Sequence, residues 1–483
     1  MNEPMTFAPP SRPRPVALLL GLCAAALLGG CATPNAAPAP GTPGVTVPAT
    51  WSTGATTNQP SSTALAQWWQ RFNDPALGGL VTQALQANPG VRSAQAALQQ
   101  ARAQRDVQQA NNGPSLSASG SAQRSRSGTA DASNRFQAGF DASWEPDVFG
   151  GHRASLAASE ADARASETSL ADVQVSLAAE VAASLIELRG LQSRLDIAQR
   201  NLAAQSETLQ ITRWRVQAGL ASSLDLEQAI AAQAQTQAQI PALQTSLAQA
   251  RHALAVLTGQ APGALDATLG PVAPVPQPPA DIALSLPAET LRQRPDVRTA
   301  EHRISAALAR VAAADAARYP SFRLGGSLGL SALTLGTLTD GASVLRSLLA
   351  SVSVPLLDGG AAKAQVRAQE AALEQARASY ASTVLTALQD VEDALVAIRG
   401  DLERLARLQT AADAAVNAEL LARQRYQSGL IDFRTVLDTQ RTLLSAQDSV
   451  ASAQASLATG HVRLYKALGG GWTPDTAAPN AAR

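Results

Sequence analysis

The sequence predicts an α+β membrane protein in which several chains share one β-barrel that continues into long coiled-coil helices. Three observations predict it: an export signal at the N-terminus, two pairs of alternating strands that are too few to close a barrel, and two uninterrupted helical stretches, Ala154–Gln217 and Ala361–Gln427. Composition excludes other classes. With 38 basic against 38 acidic residues and no basic block, the electrostatic footprint of a nucleic-acid binder is missing. Two cysteines support neither a disulfide scaffold nor a thiolate metal site. Seven Phe, 4 Tyr and 6 Trp in 483 residues are few for bulky cores, and the abundance of Ala and Gln suits long helices packed closely together.

Residues 1–30 read as a lipoprotein signal peptide. Arg12 and Arg14 precede the apolar run Val16–Leu28, which at 13 residues is too short to span a bilayer and right for a secretory core. The run ends in Leu28-Gly29-Gly30-Cys31, which resembles a bacterial lipobox with Cys31 as the lipidated first residue of the mature chain. Ala32 after it favours the outer membrane. Cleavage removes Glu3, Arg12 and Arg14, leaving one net negative charge, and takes Cys23 away, so no disulfide can form within the chain. Residues 31–67 are rich in Ala, Pro, Thr, Gly and Ser, which cannot bury enough apolar surface to fold alone, and read as a lipid-anchored tether.

Beyond the tether the chain reads as a tandem duplication, residues 68–258 and 288–470, joined by a Pro-rich linker at 259–287 and ending in a loose tail at 471–483. Asn88-Pro89 aligns with Arg294-Pro295 at a shift of 206, Pro146 and Gly150-Gly151 with Pro355 and Gly359-Gly360 at 209, and Arg213, Arg215, Gln217, Gly219 and Leu220 with Arg423, Arg425, Gln427, Gly429 and Leu430 at 210. Each unit reads helix, two strands, long helix, shorter helix. In the first, Asp74–Asn111 is helical in composition and stops at Asn112-Gly113-Pro114.

Two strands come next, within 114–145. Leu116, Ala118, Gly120 and Ala122 alternate with serines, and Phe136, Ala138, Phe140, Ala142 and Trp144 alternate with polar residues and Gly139. The second unit repeats the pattern within 320–357, through Phe322, Leu324, Leu328 and Leu330 and then Leu348, Ala350, Val352 and Val354. Strands of this length with one apolar and one polar face match the staves of a membrane barrel. A half-buried soluble sheet would alternate in the same way; the export address decides for the membrane. About eight strands is the practical minimum for closure, and an open edge in hydrocarbon leaves backbone groups unpaired, so several chains must contribute.

The long helices are placed at 152–217 and 360–427 and would each reach about 100 Å at ~1.5 Å per residue. Leu188, Leu195, Leu202, Leu209 and Val216 recur every seven residues, and Val384, Leu388, Val391, Leu395, Ile398, Leu402 and Leu405 step by alternating fours and threes, as in a coiled-coil seam. The shorter helices, 221–257 and 431–468, come after sharp reversals at Gly219-Leu220 and Gly429-Leu430, where glycine permits the turn.

Trp68-Trp69, Asp74-Pro75-Ala76-Leu77, Asn88-Pro89, Glu145-Pro146-Asp147-Val148-Phe149-Gly150-Gly151, Arg294-Pro295-Asp296-Val297 and Leu437-Asp438-Thr439-Gln440-Arg441 together resemble the outer membrane factor family, the TolC- and OprM-like proteins, and within it the NodT-type efflux lipoproteins. The resemblance implies a homotrimer with a shared 12-stranded outer-membrane β-barrel continuous with a long periplasmic α-helical coiled-coil barrel. It implies the exit duct of a tripartite efflux system, joined to a periplasmic membrane-fusion adaptor and an inner-membrane pump of the resistance-nodulation-division type. By the same resemblance the turns at Gly219, Leu220, Gly429 and Leu430 face the adaptor, and Asp438 takes the place of an acidic ring at the periplasmic constriction. Arg434 stands one helical turn before it, where relatives often carry an apolar residue, which suggests closure aided by charge pairing; the pair also fits a plain exposed i,i+4 contact.

Enzymatic readings fail. Gly325-Gly326-Ser327-Leu328-Gly329 fits a hydrolase nucleophile pattern but lies inside an alternating strand. His152, His252, His302 and His461 are scattered without metal spacing. No phosphate-binding glycine loop is present, so energy must come from another protein. No cofactor is expected beyond the lipid on Cys31. The alternative is a structural coiled-coil lipoprotein or adaptor that links envelope layers without a pore.

Overall fold

The computed structural model describes residues 46–52, 65–129, 131–277 and 287–473. The signal peptide, Cys31, most of the tether and most of the tail lie outside the described residues. The described elements are α1 (Pro75–Ala87), α2 (Pro89–Asn111), β1 (Ser115–Ser125), β2 (Ser133–Trp144), α3 (Gly151–Gln217), α4 (Ser223–Leu257), the one-turn α5 (Asp266–Leu269), α6 (Pro287–Gln293), α7 (Pro295–Ala316), β3 (Ser321–Ala332), β4 (Val344–Ser353), α8 (Ala361–Gln427) and α9 (Phe433–Ala467).

The sequence places a single helix over Asp74–Asn111; the structure divides it. Pro89 takes the first position of α2, where its missing N–H costs nothing, and holds Asn88 in extended backbone (φ −64, ψ 128). Pro295 does the same after Arg294 (φ −68, ψ 125), separating α6 from α7. Asp74 caps the start of α1 by accepting from the N–H groups of Ala76 and Leu77, and Asn88 caps α2 at the break by accepting from Gly90.

α3 packs on α1, α2 and α4 and also on α7 and α9, whereas α8 packs mainly on α7 and α9, with a small contact to α6. Each long helix is thus flanked by shorter ones laid end to end. The main core runs along α3 where these ends meet, with Leu185, Ile186, Leu188 and Leu254 fully buried. Trp68, ahead of α1, reaches into it and stacks on Tyr465 of α9, with ring centroids 5.4 Å apart.

The seams are only partly buried. Val384, Val391, Leu395 and Ile398 are inside, but Leu402 is 50% exposed. Leu385, Val396, Val416 and Leu421 of α8 are exposed as well. So are Leu224 and Ile230 of α4.

The four strands form one antiparallel sheet in the order β1-β2-β3-β4. Its register puts Ala118, Phe140, Leu328 and Arg346 on one row, and Ser119, Gly139, Gly329 and Leu345 on the next, which faces the other way. Gly139 and Gly329 sit face to face; a Cβ on Gly139 would fall 2.9 Å from the Gly329 Cα. Ser327, in the hydrolase-like pattern, bonds the Ser347 hydroxyl across the sheet at 2.7 Å.

Candidate functional site

The site is the pair of helix reversals at the end of the long helices furthest from the sheet. At the first, Leu220 N–H donates to the Arg215 carbonyl (2.7 Å) and Gly219 N–H to the Val216 carbonyl (3.0 Å). At the second, Leu430 N–H donates to Arg425 (2.9 Å) and Gly429 N–H to Tyr426 (2.9 Å). Both are Schellman turns, which need a left-handed residue; Gly219 and Gly429 each have φ 74. The helices that leave these turns are capped by different means. Ser222 and Asp225 form a reciprocal capping box, while Asp432 accepts from the backbone N–H and the hydroxyl of Thr435. Those two bonds from Thr435 hold the Asp432 carboxyl below the usual carboxylate range.

Leu220 and Leu430, at the apex of each turn, are 70% and 73% exposed. Beneath them the two reversals are tied together. Arg215 donates to the Tyr426 carbonyl at 3.0 Å and lays its guanidinium 4.5 Å above the Tyr426 ring, which packs against Phe433 at 5.4 Å. Val436 and Leu437 complete a small buried cluster there with Leu209. Further along the seam Gln440 donates to Thr208, and Arg194 grips Asp448 through two bonds of 2.6 and 3.2 Å. Sequence reasoning missed this tie; Arg215 and Tyr426 are 211 positions apart and belong to no periodic pattern.

Arg434 and Asp438 lie together on the first turns of α9, with Nε to Oδ2 at 3.8 Å, and Arg441 stands on the other side of Asp438 at 3.9 Å. All three are exposed, so in one chain the group is a loose surface array that contributes little to stability. Its opening onto solvent leaves the carboxylate available to whatever lies across from it. Histidines take no part: His152 lies near Glu145 at the sheet end, and His461 is buried with its Nδ1 at the Leu457 carbonyl.

The family model for outer membrane efflux proteins matches residues 80–260 and 286–470. The outer membrane protein OprJ of Pseudomonas aeruginosa is 30% identical over 464 residues, covering 94% of this chain and 95% of OprJ. A probable efflux pump outer membrane protein, TtgC of Pseudomonas putida, is 32% identical over 96% of this chain and 97% of its own. This chain belongs to the outer membrane efflux protein family. The solved outer-membrane channel OprN superposes on this efflux protein with a TM-score of 0.84 at 36% identity, covering 91% of this chain and all of that one. The open state of the MtrE outer membrane channel of Neisseria gonorrhoeae gives 0.82 at 29% identity, covering 91% and 99%. The efflux protein therefore works in the outer membrane of a Gram-negative cell as the channel component of a pump, and the family's members are channels rather than enzymes.

Proposed function

We propose that the chain is one third of a trimeric exit duct that carries small molecules from a periplasmic adaptor and an inner-membrane pump to the exterior. The observation that carries this is the open sheet. Among the described residues β1 and β4 have no neighbour on their outer edges, and Leu116 and Leu348 on its apolar face are 71% and 88% exposed. Three such sheets supply twelve strands, enough to close a barrel without a raw edge in lipid. The exposed apolar side chains of α8 and of α4 are the matching surfaces lower down, where one chain's helices would continue the wall of the next. The near-constant offset between equivalent turns supports an origin by duplication, and the lipid on Cys31 would hold the assembly to the inner leaflet.

At the far end, the exposed leucines at 220 and 430 offer apolar knobs to an adaptor. Three copies of Asp438 would face one another across the axis, with Arg434 and Arg441 moderating their repulsion in the closed state. Opening is then an untwisting of the α8–α9 pair past α3 that separates the ring. The test is single-channel recording of the purified protein in planar bilayers. Wild type should give a small conductance that rises several-fold in Arg434→Ala and Asp438→Ala, with the oligomer intact by native mass spectrometry. No conductance in any of the three proteins would refute the duct.

A further inference from the structure

The apolar face of the sheet ends differently at its two margins. Phe136, Phe140, Leu324, Leu348 and Val352 share that face through the strand register. Toward the helices it ends in aromatic rings: Trp144 on the face itself, then Phe149 stacked on Tyr319 at 5.0 Å, both partly exposed. This is the aromatic margin expected at a membrane surface. Toward the hairpin loops it ends in arginines. Arg124, one residue from the end of β1, lies on the same side of the strand as Leu116 and Ala122. Arg346, third in β4, is in register with Leu328 and Phe140.

Both arginines are exposed. Among the described residues neither has a carboxylate within ion-pair distance. The nearest acids in sequence, Asp131 and Asp340, stand in the hairpin loops rather than on the strands. An arginine facing lipid is costly at the middle of a bilayer and nearly free at its surface. Its long stem also lets the charged head rise to the headgroups. Two such residues at one margin, with rings and no arginine on the face at the other, mark the hairpin margin as one that meets negative charge.

We propose that Arg124 and Arg346 form a basic collar that binds the phosphate groups of an outer-leaflet glycolipid of the lipid A type. A guanidinium presents a planar fork that matches phosphate oxygens in pairs, which a neutral headgroup cannot reciprocate. When β4 of one chain pairs with β1 of the next, Arg346 and the next chain's copy of Arg124 come onto adjacent strands near the same rim, so each joint of the barrel offers two forks to one lipid. The proposal rests on the trimeric duct reading, which turns the hairpin loops to the exterior.

The test uses the full-length protein in detergent, titrated with lipid A, with lipid A stripped of its phosphates, and with phosphatidylglycerol, and read by native mass spectrometry and thermal shift. Lipid A should bind at least tenfold more tightly than the other two, and the double variant Arg124→Gln, Arg346→Gln should lose that tenfold preference while keeping its oligomer and conductance. Equal binding of the stripped lipid overturns the proposal. So does equal binding of phosphatidylglycerol, which would leave only general attraction for anions, or an unchanged preference in the double variant. Should the double variant not assemble, the comparison of the three lipids on wild type decides alone. A wild type that conducts but binds the three lipids equally overturns the collar and leaves the duct standing, whereas one that conducts nothing overturns the duct and the collar with it.

Discussion

The two halves of the chain build the same joint from different chemistry. In each half a shorter helix ends in a Schellman turn at a glycine and abuts a helix break made by proline. In the first, Gly259 (φ 72) lies against the break at Ala87, and Asn88 Nδ2 caps the last turn of α4 through the Leu257 carbonyl at 2.9 Å. In the second, Gly469 (φ 74) lies against Arg294, whose guanidinium caps α9 through the Ala467 carbonyl at 3.0 Å. Arg294 also bonds Asp296 at 2.7 Å and Asp390 of α8 at 3.0 Å, and these carboxylates, outweighing its burial, raise its hold on its proton. Backbone geometry is therefore what the joint demands, glycine and proline in fixed places. The capping group is free to vary, and in the second half it has been enlarged into a charged bridge to the long helix α8, whereas the bonds of Asn88 go to Leu257 and Gly90 rather than to α3, the matching long helix of the first half.

Gly259→Ala tests the backbone demand and carries the largest expected effect. A left-handed alanine costs about 1–2 kcal/mol at either glycine. At Gly259 the new Cβ would also fall 2.5 Å from the Ala87 carbonyl oxygen, a backbone atom that cannot swing away, whereas at Gly469 the nearest atoms are at 3.2 Å. Forced repacking adds roughly 1–3 kcal/mol, so Gly259→Ala should lower the unfolding temperature clearly more than Gly469→Ala. Equal losses would mean that φ alone matters and that the close approach is not a constraint.

The capping groups come next. Arg294→Met removes four charge-assisted bonds to three partners and should cost about 2 kcal/mol, discounted because Asp296 and Asp390 keep some access to water. Asn88→Ala, which deletes a neutral cap at each of two helix ends, should cost about 1 kcal/mol. Arg294→Lys should recover less than half of the loss, because an ammonium cannot reach the carbonyl and both carboxylates in one plane. Chemical unfolding of the detergent-solubilised protein would rank the three, and a harmless Arg294→Met would reduce the charged bridge to decoration.

Much of this was legible in the sequence, and the gaps have physical causes. Period-two alternation made the strands visible because one face of the sheet is apolar and the other polar, a contrast that a single residue step reverses. Leu345, Arg346 and Leu349 break that alternation in β4, and only the pairing register assigns their faces. The reversals at Gly219 and Gly429 were readable because a left-handed turn after a long Pro-free run has few solutions. The break at Asn88-Pro89 was not, since proline at the first turn of a helix leaves the composition helical on both sides. Arg434 and Asp438 could be paired from spacing along one helix, yet the tie between Arg215 and Tyr426 could not. It joins the ends of two different long helices, and nothing in either local sequence announces the other.

The smallest effect separates the joints by pH. Asp172 of α3 lines a cavity of about 300 Å³ with Arg294, Asp296, Asp390 and Lys466 at the second joint. Burial first and the nearby Asp296 second push its carboxyl above the usual carboxylate range, only partly opposed by Lys466 and Arg294. A raised carboxyl favours the protonated form in the folded state. Its stabilising contribution is therefore complete below the unfolded value of about 4 and is lost as pH rises through the folded one. Asp172→Asn should accordingly raise the melting temperature at pH 7, and the gain should shrink toward zero as the pH is lowered to about 4. Asn88→Ala, at the uncharged joint, should shift the melting curve by the same amount throughout that range. A lower melting temperature for Asp172→Asn at pH 7 would instead make the carboxylate a working partner of Arg294 or Lys466. The second joint would then be held by a wider charge network than Arg294, Asp296 and Asp390 alone.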